Sequence, residues 1–227
     1  MTAIITICGM LRNNIGKVTN GIRGGSQPTL KGNSSSDYPQ SNTDSRYYNE
    51  TFLGAGISNP ATHTSFNNVP NANEMSWYVV YGDPRWDEDE LWTTMGHLYK
   101  SGMWFKKKAI LQAEGHYNTE KSADGTTDLR TSTITMSYYN TNSSINNSGR
   151  PSAADTSKYF FLPSLGVYES GKLHDIGASG CYWSSSAHPR YSHYAYPLCF
   201  YSGAVTLYGN KRSSGAIAQP FSNFGNN

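Results

Sequence analysis

The most regular hydrophobic pattern in the chain lies between Ala195 and Tyr208. Apolar residues alternate with other residues on both sides of Ser202-Gly203, a pair suited to a two-residue β-turn. With this turn, Tyr201 pairs with Ala204, and the residues beyond them pair in order along both strands. The pattern therefore predicts an antiparallel β-hairpin.

The two faces of this hairpin differ in chemistry. Because side chains alternate along a strand, one face is wholly apolar and is predicted to be buried; it consists of Leu198, Phe200, Val205 and Leu207. The residues of the opposite face share neither size, polarity nor β preference, and they are Pro197, Cys199, Tyr201, Ala204, Thr206 and Tyr208. A merely solvated face would carry Thr, Lys, Glu and Arg. Pro197 indicates an edge position or a bulge, since proline cannot donate to a strand ladder.

Upstream of the hairpin, the pattern predicts a helix from Asp83-Pro84 to Gly102. Asp83-Pro84 suits a helix start, and the acidic residues 87–90 complement the helix dipole in the first turn, a simpler interpretation than a metal site. Gly102 suits the helix end. The apolar residues that would share one helical face are Leu91, Trp92, Met95, Leu98 and Tyr99.

Three further segments are typical of strands. A strand is predicted in "MWFKKKAIL" (residues 103–111), with its lysines on a solvated edge. "YFFLPSLG" (159–166) indicates a buried strand that runs into a turn, and "GCYWSS" (180–185) indicates another strand. Trp92, Trp104 and Trp183 are predicted to anchor the core.

The remaining segments are polar and carry few strong patterns. Residues 1–70 are rich in Gly, Ser, Asn and Pro, and they are predicted to form a loop-rich extension with one short strand near the start. That start lacks the basic residues and cleavage site of a secretion signal. The segment 117–157 is predicted to contain a long loop. Residues 71–227 would then form the main domain.

The composition argues against some classes of function but does not identify one. A formal charge of +2 with 15% charged residues provides no basic field for a phosphate backbone, so nucleic-acid binding is not expected. No apolar run is long enough to span a membrane, so membrane insertion is not expected either. The 17 tyrosines, with many Gly, Ser and Asn residues, suit a binding surface, and a loop-rich β protein remains the alternative.

Cysteine and histidine positions give no metal or cofactor site. Three cysteines without CxxC spacing support neither a zinc site nor a disulfide scaffold. His188 and His193 have loop spacing but no third ligand, and Asp175 stands alone as a candidate calcium ligand. The sequence therefore predicts no metal and no cofactor.

Four segments carry a resemblance to a known family: "LPSLG", "GCYWSSS", "LCFYSG" and "SSGAIAQPF". From about residue 71 to residue 221, the chain resembles the variable proteins of diversity-generating retroelements in gut Bacteroides-type bacteria and their phages. The resemblance implies an α+β chain with a C-type lectin fold, little regular secondary structure and a C-terminal β-hairpin. Gln219 departs from the arginine usual at its position, and a structural role is expected for it.

The resemblance also implies which residues vary. In that family, errors at template adenines replace asparagine codons with a restricted set of residues that excludes Lys, Glu, Gln, Met and Trp. The hairpin face opposite the apolar one and the loop 188–193 contain only residues of this permitted set. The implied ligand-binding residues are His188, Pro189, Arg190, Tyr191, Ser192, His193, Pro197, Cys199, Tyr201, Ala204, Thr206, Tyr208, Gly209, Asn210, Ser213, Ser214 and Ala216.

The implied function is recognition of a protein or glycan ligand, with the chain displayed on a cell surface or a phage tail. Tyr191, Tyr201, Tyr208 and Arg190 would be the anchors, because aromatic residues and arginine contribute most to interface energy. The alternative is an undiversified cell-surface or fimbria-associated adhesion domain. The C-type lectin fold is shared with formylglycine-generating enzymes, but their cysteine arrangement is missing here, so no catalysis is expected.

Overall fold

The computed structural model describes residues 68–94, 97–132, 137–141, 145–169, 172–191, 194–211 and 214–224. Over these ranges the protein is a mixed α+β structure built mostly from strands. The short strand predicted near the start of the chain lies outside the described residues. The elements are α1 Ala72–Tyr81, β1 Arg85–Thr94, β2 His97–Lys106, α2 Lys108–Ala113, β3 Tyr138–Thr141, β4 Tyr159–Pro163, β5 Val167–Glu169, β6 Lys172–His174, β7 Ser179–Ala187, β8 Tyr194–Tyr201, β9 Ala204–Leu207 and β10 Asn210–Lys211.

The main sheet is organised around β8. Strand β7 pairs with one edge of β8, and β9 and β10 pair in turn along its other edge. Strand β3 adds to the far side of β9, and Ile217 forms a bridge to Tyr182 on the far side of β7. All pairings among the named strands of this sheet are antiparallel.

The predicted hairpin and its register are confirmed. Tyr201 pairs with Ala204 and Leu198 with Leu207, as the Ser202-Gly203 turn requires. Pro197 was predicted to mark an edge position or a bulge. It pairs with Trp183, and the register of the β7–β8 ladder shifts directly beyond this pair, between Trp183 and Ala187, with the extra residues in β7. On the edge of β8 that pairs with β9 and β10, Pro197 lies between the end of β9 and the start of β10. No neighbouring strand there needs a backbone N–H donor, so a proline is tolerated.

The helix predicted from Asp83 to Gly102 is wrong, because this segment forms β1 and β2. The acidic residues that suggested a first helical turn lie instead at a bulge between Asp87 and Leu91. The Asp87 carboxylate accepts the backbone N–H groups of Asp89 and Glu90 at 3.0 and 3.1 Å and the Trp104 Nε1–H at 3.0 Å. A buried tertiary partner therefore overrides the local helix signals.

The sheet of β1, β2 and β4 explains the remaining apolar pattern. Trp92 pairs with Tyr99 across the β1–β2 ladder, and their rings stack with centroids 4.9 Å apart. Strand β4 confirms the strand predicted in "YFFLPSLG", and β7 confirms the strand predicted in "GCYWSS". The three tryptophans predicted to anchor the core, Trp92, Trp104 and Trp183, are all buried.

The two helices were not predicted. Helix α1 begins at Asn71 with a capping box, in which the Asn71 side chain accepts the Glu74 N–H and the Glu74 carboxylate accepts the Asn71 N–H. The strand predicted for residues 103–111 ends at Lys106, and the chain continues as α2. Lys106 and Lys108 pair with Glu114 and Glu74, so these lysines do not form a free solvated edge.

The apolar face of the hairpin lies in the main core. Phe200 is 1% exposed, and its ring lies 6.0 Å from that of Tyr182 and 6.1 Å from that of Phe105. The Phe105 contact joins the main sheet to the β1–β2–β4 sheet. The core of the described residues is therefore shared between both sheets.

Replacing Gly180 by alanine is expected to lower the free energy of unfolding by about 1 to 3 kcal/mol, because it overpacks this core. Gly180 pairs with Phe200, and a Cβ at this position would lie 2.5 Å from Phe200 Cζ. Urea unfolding measures the change. The loss should be smaller when Phe200 is already replaced by leucine, and equal losses in both backgrounds would contradict this explanation.

Candidate functional site

The candidate site is the side of the main sheet that faces away from the core. We call it the outer face, formed by the outward residues of β7, β8 and β9 with the adjoining loop 188–193. Of the predicted ligand-binding residues, Ser192, His193 and Ser213 lie outside the described residues. The other predicted residues fall into three groups by solvent exposure: exposed, half-buried and buried.

Three of the predicted residues are exposed, namely Arg190, Tyr191 and Tyr201. Tyr201 ends β8 and is 53% exposed. Tyr191 is 38% exposed, and the Arg190 guanidinium lies 5.4 Å from the centre of its ring. A planar cation over an aromatic ring and a second exposed tyrosine form a surface suited to recognition.

A half-buried group continues this surface along β8, β9 and the turn into β10. Its members are Cys199, Thr206, Tyr208, Gly209 and Asn210. Thr206 lies opposite Cys199 in the ladder, and its Oγ1 donates to the Cys199 carbonyl at 3.4 Å. These residues can line an interface but present little area each.

The remaining six of the residues implied to bind ligand are not exposed. His188, Pro189, Pro197, Ala204, Ser214 and Ala216 are buried. Ala216 packs with Val69, Trp183 and Ala218 in a second apolar cluster. This cluster forms because residues 216–218 run beside β7, where the Trp183 N–H donates to the Ile217 carbonyl and the Ile217 N–H donates to the Cys181 carbonyl. Part of the outer face is therefore covered by the chain itself.

A single disulfide joins Cys181 to Cys199, a bridge that the cysteine spacing did not indicate. The two residues are direct partners in the β7–β8 ladder, with Cα atoms 4.2 Å apart. Cys199 therefore belongs to a cross-link as well as to the predicted binding face. The cross-link makes a covalently closed loop of the chain between Cys181 and Cys199, and this loop contains the exposed residues Arg190 and Tyr191.

No family model matches the chain, and no curated protein and no solved structure matches it at a significant level. The function of the outer face is therefore argued from its own residues.

The outer face also contains residues that the sequence analysis missed. Ser179 and Cys181 lie opposite Tyr201 and Cys199 in the β7–β8 register, so the alternation of "SGCYW" could have placed them on this face. Strand β3, in the segment predicted to hold a long loop, pairs with β9 from Tyr138 to Thr141. Its tyrosine pair was the available signal, since aromatic residues favour strands.

Burial decides the electrostatics beneath the outer face. Tyr196 is 1% exposed, and burial raises the pKa of its phenol, so the group stays neutral.

Among the described residues, no cluster of three or more His, Cys, Asp or Glu side chains is placed to bind a metal ion. No helix within the described ranges is long and apolar enough to cross a membrane.

Proposed function

We propose that this protein is a ligand-binding protein with a C-type lectin fold, of the type found as variable proteins of diversity-generating retroelements. Its binding surface is the exposed and half-buried part of the outer face. Arg190, Tyr191 and Tyr201 are the anchors, and Thr206, Tyr208 and Asn210 complete the contact area. The ligand is a protein or a glycan on a cell surface.

The main observation that supports this proposal is the contrast between the two faces of the hairpin. The inward residues of β8 and β9, Leu198, Phe200, Val205 and Leu207, are all at most 1% exposed. The outward residues of the same strands include an exposed tyrosine and have no shared chemistry. A fold that strictly constrains one face and leaves the other unconstrained can change its contacts without changing its core.

The rigidity of the platform supports the same function. Strand β8 is paired along both edges, and the Cys181–Cys199 disulfide links it to β7. A surface held in this way loses little conformational entropy when it binds. A disulfide also persists in oxidising environments, which agrees with display outside the cytoplasm.

The chemistry of the anchors favours a neutral or weakly acidic ligand. Tyrosine offers a large contact area with few rotatable bonds, and its ring and hydroxyl suit both protein and sugar surfaces. Arg190 adds one cation beside Tyr191. The formal charge of +2 for the chain gives no general attraction to polyanions.

Sequencing the DNA around the gene tests diversification directly. A second, near-identical copy of the segment encoding residues 180–221 is expected, with adenines at the codons that differ. The differing codons should be those of exposed and half-buried residues of the outer face and its loop. A neighbourhood without such a copy and without a reverse-transcriptase gene would refute diversification.

Replacing Tyr201 by alanine is expected to weaken ligand binding by about 1 to 3 kcal/mol, since exposed aromatic anchors carry much of the interface energy. A ligand is first identified on arrays of glycans and cell-surface proteins, and its Kd is then measured by calorimetry. Tyr201→Phe is the matched control, because it keeps the ring. An unchanged Kd for Tyr201→Ala would place the binding surface elsewhere.

One observation favours a second function, an undiversified adhesion domain. Six of the predicted variable residues are buried, among them Ala204 at 3% and Ala216 at 2% exposure. Large side chains at these two positions would disturb the packing. The same DNA sequencing separates the two functions, because an adhesion domain needs no template copy.

A further inference from the structure

The exposed anchors of the proposed binding surface lie at opposite ends of strand β8. Tyr201 is the last residue of β8 and is 53% exposed. Tyr191 lies beside the first residue of β8, because its carbonyl accepts the Tyr194 N–H at 2.9 Å and its ring lies 5.7 Å from that of Tyr194. The strand has eight residues, so its ends are about 23 Å apart at a rise of about 3.3 Å per residue. The anchors therefore form two contact sites rather than one pocket.

The positions between the two ends offer little surface to a ligand. Pro197 and Ala204 are buried, and Cys199 and Thr206 are half-buried. Cys199 is cross-linked to Cys181, and the Thr206 hydroxyl donates to the Cys199 carbonyl at 3.4 Å. A ligand therefore gains most of its contact area at the two ends of the strand.

The two ends differ in charge. Arg190 is exposed, its guanidinium lies 5.4 Å from the centre of the Tyr191 ring, and no carboxylate of the described residues pairs with it. The other end presents the uncharged ring and hydroxyl of Tyr201. A complementary partner therefore carries a carboxylate opposite Arg190 and an apolar hollow that receives Tyr201.

The size and composition of this surface suit a protein better than a glycan. A standard protein interface buries roughly 800 Å² per partner, a patch about 30 Å across, which matches the separation of the two ends. Protein interfaces are enriched in tyrosine and arginine and depleted in lysine and carboxylates. The predicted binding residues that the structure leaves exposed or half-buried include one arginine and three tyrosines, and no lysine or carboxylate. A glycan of one or two sugars would reach one end only.

We infer that the ligand is a folded protein that contacts both ends of β8 at once, with a carboxylate against Arg190 and an apolar hollow around Tyr201. This inference rests on the proposed binding function and narrows its ligand to one class. Each end contributes its own share of the affinity, because the two ends are too far apart to act on the same group of the ligand.

Biolayer interferometry of the full chain tests the inference with two sets of probes, enzymatically deglycosylated cell-surface proteins and free oligosaccharides of two to six sugars. We expect binding to a deglycosylated protein and to none of the oligosaccharides. Tyr201→Ala and Arg190→Ala should each raise the Kd for that protein about 5- to 100-fold. The double variant should raise it by the product of the two factors, because sites more than about 10 Å apart contribute independently.

Matched variants separate the charge of Arg190 from its bulk. The wild-type Kd should rise between 50 and 500 mM NaCl, since salt screens an exposed ion pair. Arg190→Lys should keep this dependence, and Arg190→Ala should lose most of it. Leu98→Ala is the control for an exposed apolar residue outside the surface, since Leu98 is 65% exposed on β2, and it should leave the Kd unchanged. A wild-type Kd that does not change with salt would contradict the carboxylate opposite Arg190.

Three other outcomes would overturn the inference, and they differ in what they leave standing. An oligosaccharide whose Kd rises in Tyr201→Ala would replace the protein ligand by a glycan and leave the proposed function in place. A double variant no weaker than Arg190→Ala alone would show that the two ends do not act separately. A bound protein whose Kd is unchanged in Tyr201→Ala, Arg190→Ala and the double variant would contradict the proposed binding surface as well.

Discussion

Replacing Phe200 by alanine is expected to lower the free energy of unfolding by about 3 to 5 kcal/mol, the largest effect of any single change in the hairpin. The ring of Phe200 is 1% exposed and touches both sheets through Phe105 and Tyr182. Its loss leaves a cavity where the two sheets meet, and Gly180 across the ladder has no side chain to fill it. Urea unfolding followed by circular dichroism measures the change.

The neighbouring residue provides the matched control for this experiment. Tyr201 follows Phe200 in the same strand but points to the opposite face, where it is 53% exposed. Tyr201→Ala should change stability by at most about 0.5 kcal/mol, as is usual for surface positions. If both variants lost stability equally, the assignment of the two hairpin faces would be wrong.

Removing the Cys181–Cys199 disulfide by the double change to alanine is expected to cost about 2 to 4 kcal/mol. The bridge joins residues 18 positions apart, so it restricts a loop of the unfolded chain that includes the exposed residues Arg190 and Tyr191. Urea unfolding of the oxidised wild type and the double variant measures the difference. Strong reducing agent should lower the stability of the wild type towards that of the double variant and leave the variant unchanged.

A thiol count provides an independent check of the disulfide. The chain contains three cysteines, and the bridge uses two of them, so the count of reactive thiols tests whether the bridge forms. The unfolded, unreduced protein should therefore react with one equivalent of a thiol reagent, and with three after reduction. Three equivalents before reduction would show that the bridge does not form.

The hairpin was predictable because its signal is local. A two-residue turn sets the pairing of the flanking strands, and alternation then assigns each side chain to a face. The buried set Leu198, Phe200, Val205 and Leu207 follows from these two rules alone. A pairing irregularity near Pro197 was predictable for the same reason, since proline cannot donate to a strand ladder, but the location of its extra residues in β7 was not.

The segment 83–102 was mispredicted because its local and tertiary signals conflict. Asp83-Pro84 and the acidic residues after it are compatible with a helix start, and the apolar spacing fits a helical face. The tertiary structure instead gives Asp87 a buried partner, Trp104, and pairs Trp92 with Tyr99 across a ladder. Helix propensity is worth tenths of a kcal/mol per residue, roughly, so such contacts outweigh it.

The sequence by itself determined which hairpin residues face inward, because alternation and turn chemistry act between neighbours in the chain. Only the tertiary structure decided how much of the outward side stays open. Residues 216–218 lie beside β7 and help to cover Trp183, and β7 brings Cys181 against Cys199. These contacts join segments that are distant in sequence, and no local pattern encodes which segment covers which surface. The candidate binding surface is therefore smaller than the alternation predicts, and it is centred on Arg190, Tyr191 and Tyr201.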